Sequence, residues 1–156
     1  MLKNIKAVVS LLKKKKITLS IVESCTGGML AQEITSIGGA SKIFKFSIVT
    51  YSNQSKVNYL KVPLKIIKMH GSVSRQCCNS MVINLAKISN AKLNVAITGI
   101  AGPTGGSKLK PVGLVYIGIK KGPRIEVYKY LFKNKNRNYI RINSVKKSID
   151  LIKNFI

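Results

Sequence analysis

An apolar, β-branched run, Ile17-Thr18-Leu19-Ser20-Ile21-Val22, stops abruptly at Glu23-Ser24-Cys25-Thr26-Gly27-Gly28. A segment with Leu30 and Ile34 four apart follows it. This pattern predicts a strand over 17–22, a tight turn, and a helix over 27–36 ended by Gly38-Gly39. Paired glycines let another group approach the backbone closely. The first turn of a helix carries free N–H groups and a partial positive charge, which suit a phosphate or a developing oxyanion. Ser24 places a hydroxyl at the mouth of that site. In the plainer alternative, Ser24 or Thr26 only caps the helix.

A second stretch has the same grammar. Leu93 to Gly99 is apolar enough for a strand buried on both faces. It runs into Gly99-Ile100-Ala101-Gly102-Pro103-Thr104-Gly105-Gly106-Ser107. Two Gly-rich loops, each after a buried strand, point to one site at the strand ends. Further strands are expected over 46–51, 112–119 and 125–132. Helices are expected over 2–15, 53–60, from Pro63 to near Gly71, from a Ser74 cap onward, and over 137–155. Cys78, Met81, Val82, Leu85 and Ile88 fall at helical spacing and form a core stripe. Helices and strands alternate, so the fold class is α/β, a layered α/β/α sandwich. The last two strands are joined by the short turn at Gly122-Pro123, which makes the central sheet mixed. At 156 residues the chain reads as one domain, residues 1–156, with a substantial core.

Charge first suggests nucleic acid, because the formal net charge is +24. However, 24 of the 28 basic residues are lysine and only 4 are arginine, the preferred base reader and phosphate fork. The lysines are scattered, and Lys13 to Lys16 is the one long run. Asparagine and isoleucine are abundant too, which matches codon drift in an A+T-rich genome. Weak, non-specific nucleic-acid binding is therefore the most that composition supports. No apolar run nears the roughly 20 residues that span a bilayer, and the N-terminus lacks the pattern of a secretion signal. Three cysteines, two of them adjacent, suit a reducing compartment, so the expected location is the cytoplasm.

Scarcity is more informative. There is one histidine, His70, and one aspartate, Asp150; the glutamates are Glu23, Glu33 and Glu126. A His-rich metal site cannot be built from this set, and no Cys-x-x-Cys occurs. A Ser-His-Asp triad would need both singletons, and His70, just before Gly71, reads as a helix-end residue. An enzymatic base is thus left to a lysine or a tyrosine. Lys56, five residues past Tyr51, reads by itself as a solvated surface charge.

Several separated motifs together resemble the C-terminal domain of the CinA family. They are Glu23-Ser24-Cys25-Thr26-Gly27-Gly28, Val49-Thr50-Tyr51-Ser52-Asn53-x-x-Lys56, Gly71-x-Val73-Ser74, Thr98 to Gly106, and Lys110-Pro111-Val112-Gly113. They occur in the family's order and span nearly the whole chain. Stand-alone members of the family are nicotinamide-nucleotide amidohydrolases, while larger members carry an additional N-terminal domain for which this chain has no room. The resemblance implies hydrolysis of the carboxamide of nicotinamide mononucleotide to nicotinic acid mononucleotide and ammonia, with no metal or organic cofactor. It implies Ser24, Tyr51 and Lys56 as the catalytic set, with Lys56 as base and Tyr51 relaying a proton or holding Lys56. Residues expected around the nucleotide substrate are Glu23, Cys25, Thr26, Gly27, Gly28, Thr98, Gly99, Gly102, Gly105, Gly106, Arg137 and Arg141. It also implies a homodimer or higher homo-oligomer. Departures from the family pattern are Phe46-Ser47, Arg75 and Asn136. Two rivals stay open: Cys25 as nucleophile, and a non-catalytic role as a basic nucleic-acid binder or an inactive nucleotide-binding relative.

Overall fold

The computed structural model describes residues 2–156. In chain order the elements are α1 (Leu2–Lys14), β1 (Leu19–Glu23), α2 (Met29–Thr35), a 3-10 turn (Ala40–Lys42), β2 (Phe44–Val49), α3 (Asn53–Asn58), α4 (Leu64–His70), α5 (Arg75–Ser89), β3 (Leu93–Gly99), β4 (Leu114–Lys121), β5 (Arg124–Leu131) and α6 (Arg137–Phe155). The sheet order is β2-β1-β3-β4-β5. β1 runs parallel to both β2 and β3, whereas β3–β4 and β4–β5 are antiparallel, so the sheet is mixed.

Side-chain alternation along the central strands builds the layers. Ile21, Val95 and Ile97 face one side, where they pack with Ile5, Leu12, Leu30, Ile34, Val145 and Ile152 from α1, α2 and α6. Val22 and Ala96, one residue out of step, face the other side and pack with Cys77, Cys78, Met81, Val82 and Leu85 from α5. All residues of β1 are buried, and so are all of β3 except Gly99, which matches their mostly apolar sequences; the buried Ser20 donates to Asn94 across the pair. The result is an α/β/α sandwich. Gly118 on β4 lets α5 sit close, because a Cβ there would lie 3.2 Å from Cys78 Sγ.

The chain leaves β1 toward β2 on one side, then returns through α3, α4 and α5 to β3 on the other. The C-terminal ends of β1, β2 and β3 therefore share one rim, with a switch in direction beside β1. Open α/β sheets leave a crevice at such a point.

Several element bounds differ from the sequence reading. Helix α2 begins at Met29, not residue 27, because Gly27 (φ 62°) and Gly28 (φ 92°) are left-handed. Its C-cap is Ser36, and Gly39 instead opens the 3-10 turn. Strand β2 starts and stops two residues early, which leaves Thr50 and Tyr51 outside it. Val112 and Gly113 belong to the turn before β4. Ile88 is not core: it is 48% exposed. The sheet-facing position in that last turn is Ser89, whose hydroxyl joins Ser20 and Asn94. Ser74 caps α5 as expected, its side chain accepting from Cys77 N–H.

Gly113 is the tightest joint near the rim. Its φ is 98°, and a Cβ there would overlap the carbonyl oxygen of Phe132. Gly113→Ala should lose about 2 kcal/mol or more, from left-handed strain plus backbone displacement. Urea unfolding will measure it, and a loss of only a few tenths would mean the β4–β5 end can shift freely.

Candidate active site

Ser24 follows β1 directly, and the parallel neighbours fix where it points. Glu23 pairs with Val49 on β2 and Ile97 on β3, so Ser24 emerges where both neighbours also end. Helix α3 stands at that rim. Ser52 opens it with a reciprocal capping box, its side chain accepting from Ser55 N–H. Lys56 lies one turn further on and points inward, only 1% exposed. Its Nζ is 3.0 Å from Ser24 Oγ, 2.6 Å from Thr50 O and 3.4 Å from Tyr51 O. These two carbonyls are available because β2 has already ended. None of these contacts is a carboxylate. Burial is the main cause that pulls the Lys56 pKa below its ordinary 10.5, with Cys77 and Cys25 acting in the opposite direction.

A cavity of about 300 Å³ opens beside this pair. From the expected residues, Ser24, Cys25, Tyr51, Lys56, Thr98, Gly99, Gly102, Gly105 and Arg137 line it. Glu23, Thr26, Gly27, Gly28, Gly106 and Arg141 do not. Gly106 is exposed and its Cα lies against Val112, whose N a Cβ there would meet. Ser72, Val73, Ile100, Ala101 and Thr104 also line the cavity and were absent from the expected set. The Gly71-x-Val73-Ser74 motif was the signal for the first two. Thr98 Oγ1 donates to Ser72 O at 2.9 Å, which ties the end of β3 to the loop before α5. His70, half-buried at the end of α4, lies outside the cavity, and its carbonyl accepts from the Lys110 ammonium.

The start of α2 is not the open anion site that the sequence suggested. Glu23 is fully buried, and its carboxylate accepts from Gly28 N–H (3.0 Å), Leu30 N–H (3.2 Å) and Ala31 N–H (2.9 Å). The chain's own acid therefore fills the position a substrate anion would take. Glu23 thus bonds to the amides at the start of α2 and not to the cavity, and Lys56 is not among its hydrogen-bond partners.

Tyr51 meets Lys56 through its backbone and not its side chain. Its side chain is 59% exposed, and its hydroxyl accepts from Arg137 Nη2 at 2.9 Å. It reaches Lys56 through its main-chain carbonyl. Arg137 Nη1 donates to Gly102 O, so one guanidinium bridges the Tyr51 side and the 99–106 loop. Cys25 is buried and its thiol is pushed up to about 12, first by burial, with Glu23 adding to the shift. Such a thiol is not a thiolate near neutrality. Among the described residues no three His, Cys, Asp or Glu side chains cluster as metal ligands, and no helix is long and apolar enough to cross a membrane.

Comparison with known proteins gives a consistent family. A model of the CinA C-terminal domain matches residues 2–156, and the chain belongs to this family. A CinA-like protein of Pseudothermotoga lettingae is 49% identical over 135 residues, covering 86% of this chain and 33% of the relative. A CinA-like protein of Dictyoglomus thermophilum is 42% identical over 146 residues, covering 94% and 35%. The chain thus spans about a third of the length of the curated relatives it matches. Among solved structures, the competence/damage inducible protein CihA from Agrobacterium tumefaciens superposes with a TM-score of 0.90 at 32% identity, covering 96% of this chain and 93% of that one. A CinA superfamily protein from Klebsiella pneumoniae gives 0.92 at 26% identity, covering 97% and 94%.

The lowered Lys56 pKa has a consequence for stability. Between its folded value and 10.5, the unfolded chain holds one more proton than the folded chain at this position. Stability contributed by Lys56 therefore rises with pH across that window, and the full penalty applies below it. In urea unfolding at stepped pH, wild type minus Lys56→Met should climb toward alkaline pH. A flat difference would mean that Lys56 keeps an ordinary affinity for its proton.

Proposed function

We propose that this CinA-family chain is a nicotinamide mononucleotide deamidase working through a Ser24–Lys56 pair. The observation that carries the reading is a buried lysine amine 3.0 Å from a serine hydroxyl, solvated by main-chain carbonyls only. A neutral amine has two N–H bonds and one lone pair. With the N–H bonds directed to Thr50 O and Tyr51 O, the lone pair is left for the Ser24 proton. Burial favours that neutral form.

Ser24 Oγ attacks the carboxamide carbon as Lys56 Nζ takes its proton. The backbone N–H of Cys25, the residue after Ser24 that lines the cavity, receives the oxyanion. The protonated Lys56 then gives its proton to the departing amine, and ammonia leaves. Water attacks the resulting ester with Lys56 again as base, Ser24 recovers its proton, and the carboxylic acid is released. Tyr51 holds the amine through its carbonyl and keeps Arg137 at the rim through its hydroxyl. Arg137 and the 99–106 loop would take the substrate phosphate. The proposal includes a cytoplasmic location and self-association as a homodimer or higher oligomer, which light scattering will check.

The experiment is ammonia release from nicotinamide mononucleotide. Ser24→Ala should reduce kcat by about 10³-fold or more, whereas Cys25→Ser should stay within about tenfold of wild type. The reverse pattern would transfer the nucleophile to Cys25. Lys56→Arg should be as inactive as Lys56→Ala, because guanidinium does not release its proton. The rate should rise with pH along an ionisation below 10.5 that vanishes in both Lys56 variants. Nucleotide binding without ammonia release would identify an inactive relative. Sequence-selective nucleic-acid binding persisting at physiological salt would favour the non-catalytic rival.

A further inference from the structure

The nucleophile turn has two sides. The front, Ser24 and Cys25, faces the cavity. The back is held by two charged side chains that never reach it. From one end, the Glu23 carboxylate takes the N–H groups of Gly28, Leu30 and Ala31. From the other, Arg141 on α6 donates through Nη2 to Thr26 O at 2.9 Å. That carbonyl also accepts from Met29 N–H. Gly27 sits directly against the guanidinium, since a Cβ there would lie 3.5 Å from Arg141 Nη2. Arg141 is half-buried, and its Nε–H is buried without a partner. A guanidinium held at that cost is explained by what it fixes.

We propose that Arg141 is a positioning residue for the Ser24 turn and not an anchor for the substrate. Glu23 and Arg141 form a clamp with opposite charges, one on the turn's N–H groups and one on its carbonyl. α6 is a good base for it, because Ile140 and Val145 lock that helix into the core around Arg141. The end of β1 and the resting place of the turn together set the Ser24–Lys56 distance, since Lys56 itself is held by the carbonyls after β2. A misplacement of about 1 Å between reacting groups can cost on the order of 100-fold in rate. The clamp also connects the C-terminal helix to the chemistry 115 residues earlier in the chain.

The kinetic part of the test rests on the deamidase reading; the exchange part does not. Arg141→Met should lower kcat for nicotinamide mononucleotide at least tenfold with KM within about threefold, and Arg141→Lys, which can still donate to Thr26 O, should recover part of it. In hydrogen exchange of the whole protein, the Gly27 and Gly28 amides should exchange at least tenfold faster in Arg141→Met. The β3 amides should be unchanged, and Arg141→Lys should be intermediate. Should Arg141→Met fail to fold, Arg141→Lys against wild type decides both readouts. A rise in KM with kcat retained would overturn the proposal and make Arg141 a substrate anchor. Unchanged exchange at Gly27 and Gly28 would also overturn it. Loss of the deamidase reading alone, with faster exchange in the variant, would leave the clamp standing.

Discussion

The burial of one lysine amine organises this site. Lys56 enters the rim of the sheet with no acid to meet it, and its neighbours are a hydroxyl and two main-chain carbonyls. Removing an ammonium from water costs several kcal/mol unless it is paired. The structure lowers that cost by favouring the neutral amine, which carbonyls can still satisfy. Much of the local architecture serves this arrangement. The early end of β2 exposes the carbonyls of Thr50 and Tyr51, and the Ser52 capping box fixes where α3 begins. α3 then places position 56 over the end of β1.

The few acids are placed in keeping with it. Glu23, the buried acid beside the turn, is consumed by the first N–H groups of α2. A carboxylate there satisfies donors that a short helix would otherwise leave orphaned. It also makes the neighbouring Cys25 thiol harder to ionise. Two nucleophile candidates stand side by side in sequence, and their surroundings differ: the Ser24 hydroxyl lies 3.0 Å from a buried amine, and burial pushes the Cys25 thiol up to about 12.

The rim is closed on the opposite side by polar ties instead of apolar packing. Arg137 joins Tyr51 to Gly102, and Thr98 joins β3 to Ser72. Each tie links segments far apart in the chain, so the cavity walls depend on each other. The Lys110 ammonium on the His70 carbonyl extends the same pattern. In a chain with formal charge +24, part of the excess charge thus works as tethers on carbonyl oxygens.

Local chemistry made much of the fold legible. The mostly apolar sequences of β1 and β3, the Ser74 cap, the amphipathic α6 and the two Gly-rich turns are all short-range signals. They suffice for an α/β sandwich with a site at the strand ends, and the scarcity of acids and histidine narrows the chemistry to lysine or tyrosine. Only the tertiary structure decided how these residues act. Nothing around Lys56 in sequence marks it as buried, because its neighbours are mostly polar and the serine it meets lies 32 residues away. Tyr51 and Arg141 carry the same lesson. Their spacing is compatible with touching the base or the substrate, yet the Tyr51 hydroxyl turns to Arg137 and Arg141 settles behind the turn. Side-chain type and order are properties of the chain, whereas desolvation and reach are set by what folds against it.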